Sequence, residues 1–254
     1  MIYVENIETP VKESSIADLD SKEVLKYLQL ATGLDATVKF EDKVVLNLIL
    51  GQKIAVKKED RIILTVGGVL VFVKDPEKFL PYYGVIFTRH PQSVREQFRE
   101  QFKRHSFNFN ISKTLFDVIE TINVLTQRSG TQGGLRHVDT IGYPFNVLQE
   151  VLANAMVHRD YSIACRIWVN LFSNKLEVKS PGLPPSGITR ENMRAGYPVH
   201  RNPLLYNYAC CLGLGEQRGG LPRIIAQMEQ LGRGVEIEFE APFVKVTIEG
   251  PRPE

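Results

Sequence analysis

From Pro144 to His158 the chain reads PFNVLQEVLANAMVH, and this stretch limits the fold more than any other. Val147, Leu148, Val151, Leu152 and Ala155 recur at helical spacing, while Glu150, Asn154 and His158 follow one another every four residues. At 3.6 residues per turn, the first set forms an apolar side and the second a polar stripe along its edge. Pro144 suits the first turn, where its missing N–H costs nothing. So apolar a helix needs a cover, and strand-like segments follow it. Ile167 to Phe172 and Leu176 to Lys179 read as strands joined by a tight turn at Ser173-Asn174. Pro181 to Tyr197 reads as a loop with one short helix. Helices are predicted from Asn202-Pro203 through Leu212 and over Leu221 to Leu231, and Val235 to Phe239 with Phe243 to Ile248 form a last hairpin. Helices followed by antiparallel strands predict an α/β (α+β) chain whose C-terminal half is a layered α/β sandwich with one helical face.

The N-terminal half is less sharply patterned. Asp20 or Ser21 caps a predicted helix to about Ala31, with Val24, Leu25, Leu28 and Leu30 as its apolar stripe. A second helix is predicted over Val44 to Leu50. Arg61 to Leu64, Val69 to Val73 and Val85 to Thr88 are strand-like, the middle one alternatively a buried segment, so this half is mixed α/β with a winged-helix-like part. A helix over Gln92 to Lys103 places Arg95, Arg99 and Lys103 on one face. That is a basic stripe for nucleic acid or, with Glu96 and Glu100 diluting it, an ordinary solvated face, and the second reading weighs more. Another helix is predicted over Thr114 to Gln127. The glycine-rich QRSGTQGG that follows, Gln127 to Gly134, reads as a linker, which divides the chain into units 1–134 and 135–254.

At 254 residues with 43% apolar and 24% charged side chains, both halves have the material for a core. A net charge of +2 excludes a protein that coats nucleic acid by charge alone. Cys165, Cys210 and Cys211 have no spacing suited to a disulfide framework or structural zinc. The first ten residues lack the apolar run of a signal peptide, and the longest apolar stretch, Val69 to Val73, is far below the ~20 residues of a membrane span. The expectation is a soluble, cytoplasmic protein.

The stripe on the 144–158 helix carries the chemistry. The amide oxygen of Asn154 is a ligand type suited to Mg²⁺, and Glu150, one turn away, is placed to orient or deprotonate a water for attack on a phosphoryl group. On spacing alone, an ordinary solvated helix face is the better reading.

The longer strings YPFNVLQEVLANAMVHRDY, KLEVKSPGLPPSGIT and HRNPLLYNYACCLGLGEQRGGLPRI decide between them. Over about residues 141–248 the chain resembles the C-terminal ATP-binding domain of RecG-like, helicase-related proteins and transcriptional regulators that carry an AlbA-like, Schlafen-type domain upstream. Leu64 to Arg89 also resembles the segment preceding that domain. The domain is a variant of the fold shared by gyrase B, histidine kinases and MutL (GHKL-like). The resemblance implies ATP and Mg²⁺ as cofactors, with Glu150 as the water-activating carboxylate and Asn154 as the Mg²⁺ ligand. It places His158 in an H-R-D-Y signature, Ser180 and Gly182 where the wider fold carries an adenine-reading D-x-G, and Arg201 in an R-N-P motif. Gly219 and Gly220 fall in a glycine-rich loop that opens a helix toward phosphate. Asn202-Pro203 also reads simply as a helix cap.

The sequence departs from the family pattern in three ways. Ser180 replaces the aspartate, and a hydroxyl is a weaker and less directional acceptor. The glycine loop is one residue short, and Pro222 removes a backbone donor near the phosphate position. The AlbA-like domain is absent from the chain as given, so the expectation is a short member or a partner chain that supplies it. No G-x-x-x-x-G-K-[ST] P-loop occurs, which excludes a translocating helicase motor.

Three functions follow from these residues. The first is an ATP/Mg-binding regulatory switch with slow hydrolysis, in which ATP orders residues 183–200 over the site and changes how the N-terminal half meets a partner or nucleic acid, the expected partners being a second copy of the chain or a chain carrying the missing upstream domain. The second is a DNA-binding transcriptional regulator whose nucleotide fold is scaffold. The third is an inactive interaction module.

Overall fold

The computed structural model describes residues 4–90, 104–126, 128–132, 135–139, 142–197, 199–215 and 220–251. The expected basic stripe of Arg95, Arg99 and Lys103 lies outside them, as does Gly219.

Helix α1 (Ser21–Thr32) starts at Asp20, whose side chain accepts from the Lys22 amide, and stops at Gly33 in the left-handed conformation. Helix α2 (Lys43–Gly51) leads into the antiparallel hairpin of β1 (Ala55–Lys58) and β2 (Arg61–Leu64). Next comes α3 (Val66–Phe72), where the sequence suggests a strand over Val69 to Val73. Its β-branched residues favour strands, but all seven residues are buried, so no polar face exists to reveal a helical period. The Thr65 side chain starts the helix by accepting from the Gly68 amide at 3.0 Å.

Strand β3 (Val85–Arg89) pairs antiparallel with β4 (Arg104–Phe107) and parallel with β7 (Ile167–Leu171). Between β4 and β7 lie α4 (Ile111–Thr126), the hairpin of β5 (Arg128–Gln132) and β6 (Leu135–Asp139), and α5 (Phe145–Val157). The hairpin stands where the glycine-rich stretch suggests a linker; antiparallel pairing supplies backbone partners that composition cannot reveal.

Strand β8 (Lys175–Pro181) follows β7 through a tight turn. Then come α6 (Arg190–Arg194), α7 (Pro203–Cys211), α8 (Gly220–Gln230), and the pair β9 (Val235–Glu240) and β10 (Phe243–Glu249). The six-stranded sheet has the order β4-β3-β7-β8-β10-β9. This is the mixed α+β architecture expected from the sequence.

Strand alternation divides the sheet into two chemistries. Phe87, Val169, Val178 and Ile248 are fully buried beneath α4, α5 and α8. On the other face the register aligns Trp168, Lys179, Lys245 and Glu238 in one row. Trp168 is exposed there, and Lys245 pairs with Glu238 at 2.7 Å and Glu240 at 2.5 Å. Among the described residues, no helix is long and apolar enough to cross a membrane.

Candidate functional site

Helix α5 crosses the inner face of the sheet, buried along most of its length. Pro144 is its N-cap residue and the helix begins at Phe145. Glu150 is also buried, at 7% exposure, so a purely solvated polar stripe is ruled out. Asn154 Nδ2 donates to Glu150 Oε1 at 2.9 Å. Burial raises the proton affinity of Glu150, while the Asn154 hydrogen bond and the charge of Arg223 act the other way. The bond also orients Asn154: its nitrogen is engaged with the carboxylate, and Oδ1 is the atom available to a cation.

A cavity of about 190 Å³ opens beside this pair. Glu150 and Asn154 of α5 with His158 at its C-cap form one wall, Val178, Ser180, Val244 and Val246 the sheet floor, and Gly220 and Leu221 a corner. Residues between 183 and 200 form the cover, contributing Leu183, Pro184, Pro185, Ile188, Met193 and Val199. The cover is tied down around α6, where Arg194 Nη1 donates to the Val235 carbonyl at 2.9 Å. Thr189 and Asn192 close a reciprocal capping box at the start of that helix.

Ser180 Oγ donates to the Ala155 carbonyl at 2.6 Å. With its proton committed there, the hydroxyl oxygen retains only acceptor capacity for anything in the cavity. A serine held this way offers a ligand amino group what a carboxylate would, though without the charge.

Gly182 adopts φ +104°, and a Cβ there would lie 2.4 Å from the Cβ of Asp160, so only glycine fits this turn. Gly220 lets the Glu150 carboxyl group approach closely: a Cβ there would lie 1.8 Å from Oε1, so a side chain at this position would displace the end of Glu150.

The H-R-D-Y and R-N-P motifs interlock. Arg201 Nη1 donates to Asp160 Oδ2 at 3.0 Å, and its Nη2 donates to the Leu183 carbonyl. Asn202 Nδ2 donates to the Val157 and Arg159 carbonyls, each at 2.8 Å. Asn202 stands at the N-cap of α7 with Pro203 in the first turn, as the cap reading has it, but its side chain makes no bond to that helix and instead closes the C-terminus of α5. Arg159 is buried and donates to the Tyr82, Tyr83 and Ile163 carbonyls, and Tyr161 Oη donates to the Met156 carbonyl at 2.8 Å. Together these contacts fix the chain leaving α5.

The rings of His158, His200 and Tyr206 stack along the cavity wall. His200 lies 5.3 Å from His158 and 3.7 Å from Tyr206, centroid to centroid. Burial, with His200 and Arg201 nearby, pushes the His158 imidazole down to about 4, so it is neutral at pH 7. Burial also lowers His200, and its Nδ1 has no hydrogen-bond partner among the described residues. Sequence reasoning placed residues 183–200 over the site, but missed the apolar character of that cover and the part of His200 and Tyr206 in the wall. His200 stands directly before Arg201, so the R-N-P motif was the available pointer.

Residues 165–248 match the family model described as "Putative ATP-dependent DNA helicase recG C-terminal". Over that segment the chain is similar to a RecG-type, ATPase-like domain. The match takes in Ser180, Gly182, Arg201, Gly219 and Gly220, and begins after the helix bearing Glu150 and Asn154. Among solved structures, the DIP2311 protein from Corynebacterium diphtheriae superposes with a TM-score of 0.68 at 22% identity, over 98% of this chain and 48% of that one. The chain thus spans about half the length of that structure, and the likeness concerns the fold. A comparison with curated proteins finds no match.

Proposed function

We propose that the cavity binds an adenine nucleotide with Mg²⁺ and that the protein works as a nucleotide-dependent switch with slow hydrolysis. One observation carries this reading: Glu150, Asn154, Ser180 and Gly220, from three separate stretches of sequence, meet around one apolar cavity. Such a cavity, with a few convergent polar groups, suits a base and sugar, and the α8 N-terminus suits phosphate. Ser180 accepts from the adenine amino group. Gly182 keeps the turn at the cavity floor close to Asp160.

The residues fit a hard cation in one respect: Asn154 presents an amide oxygen whose orientation is fixed by Glu150. Asn154 would hold Mg²⁺ together with the ligand's phosphates, and the ion would supply charge neutralisation. Glu150 orients the attacking water and takes its proton. The cover at 183–200 closes on the bound nucleotide, and Arg201 anchors one end of it to Asp160. The similarity of residues 165–248 to a RecG-type domain supports the nucleotide assignment and motivates a link to nucleic acid.

Calorimetric titration of Mg-ATP into the native protein and Asn154→Ala, with Mg-GTP as control, tests this. Saturable heat for ATP with the native protein, at least tenfold weaker with the variant, is expected. No heat at millimolar ATP sinks the nucleotide reading and gives precedence to a scaffold that binds DNA.

A further inference from the structure

We propose that Arg201 is a positioning residue that ties both ends of the cover to the turn leaving α5, so that the part of the cavity beside Ser180 is formed before a ligand arrives. Its bearing on ligand affinity rests on the nucleotide reading; the tie itself is measurable without a ligand.

Three stretches of chain meet at Asp160. The first is the turn after α5, where Asp160 Oδ1 accepts from the Ser162 amide at 3.0 Å and from Ser162 Oγ at 2.6 Å, which fixes the carboxylate. The second is the end of β8 with the start of the cover. The Asp160 amide donates to the Pro181 carbonyl at 2.7 Å, and Gly182 lies too near Asp160 to carry a side chain. The third is Arg201, at the far end of the cover. Its Nη1 donates to the other carboxylate oxygen, Oδ2, at 3.0 Å, and its Nη2 donates to the Leu183 carbonyl. One guanidinium therefore joins the two ends of the cover to each other and to Asp160.

The two side chains of the ion pair are largely shielded, at 27% and 23% exposure, where a charge-assisted bond is strong and little screened. A planar guanidinium reaches two acceptors in fixed directions, which the ammonium of a lysine does not. Arg201, Leu183, Gly182 and Ser180 all line the cavity. The tie therefore shapes the part assigned to the base, not the α8 corner assigned to phosphate.

The test uses the full chain, native and Arg201→Lys, which keeps the charge and loses the two-acceptor geometry. Hydrogen exchange without ligand follows the amides of Met193, Ala195 and Gly196, which are bonded inside the cover. Expected is about tenfold faster exchange there, with the amides of α5 at native rates. Adenosine and a non-hydrolysable ATP analogue are both expected to bind about tenfold more weakly. Unchanged exchange in the cover, or unchanged affinity for both ligands, overturns the proposal. So does a loss confined to the analogue, because Arg201 would then be a phosphate contact. Absence of binding by the native protein removes the nucleotide reading and leaves the exchange rates to decide the tie. If the α5 amides also exchange faster, the lysine variant is loosened as a whole, and Asp160→Asn, which keeps an acceptor without the charge, carries the same expectations.

Discussion

At the scale of single residues, the site combines groups whose ordinary ionisation is suppressed. His158 faces the His200 ring at 5.3 Å, the Tyr206 ring at 6.5 Å and the charge of Arg201. Burial contributes the largest share of the depression, and His200 and the charge of Arg201 add to it. Because the folded protein binds this proton less readily than the unfolded chain, the stabilisation is fully present above about pH 6.5. It drains as pH falls toward 4. A depression of this size amounts to about 3 kcal/mol at full extent. Urea unfolding of native protein and His158→Gln at steps between pH 7 and 4 should show a flatter profile for the variant. Superimposable slopes would remove His158 as the cause of acid sensitivity.

At the scale of elements, Asn202 clamps α7 to the end of α5. Asn202 is buried at 6% exposure and satisfies the carbonyl of Val157, which the end of α5 leaves open, and that of Arg159 just beyond it. Asn202→Ala strands both acceptors, and each buried unsatisfied group costs about 1–3 kcal/mol. Chemical denaturation should register a loss of at least about 2 kcal/mol; a loss below half of that would mean that water reaches those carbonyls. This clamp also marks how far the sequence could be read. The α5 stripe and the order of strands and helices around it were legible because one-sided burial writes a period into the sequence. The buried helix α3 was not, since it is apolar on every side. The hairpin of β5 and β6 was hidden by glycines that composition assigns to linkers. Within the site, spacing placed Glu150 and Asn154 on one face, but the burial of Glu150 and its approach to Gly220 depend on contact between residues seventy positions apart. The partners of Asn202 are likewise set by tertiary packing.

At the scale of the whole molecule, the two sides of position 134 share their structure. Strands β3 and β4 lie in the same sheet as β7 to β10, with β3 pairing directly to β7. Helix α7 spans the junction: Tyr206 lines the cavity, while Tyr208 packs edge-on against Tyr27 and Phe72 at 5.2 and 5.3 Å. Tyr208 Oη donates to the Gln52 carbonyl at 2.6 Å. Removing either half would expose the other's buried surface and one edge of a paired strand, so partial unfolding gains little. We therefore expect a single cooperative transition, measured both by fluorescence of the only tryptophan, Trp168 in β7, and by far-ultraviolet circular dichroism. Mg-ATP at a hundred times its Kd should move both signals together, by about 2.7 kcal/mol. If the helical signal instead begins to fall before the Trp168 signal, and that early phase ignores the nucleotide, residues 1–134 form an independent unit. A switch would then have to act through the contacts of α7 and the pairing of β3 with β7.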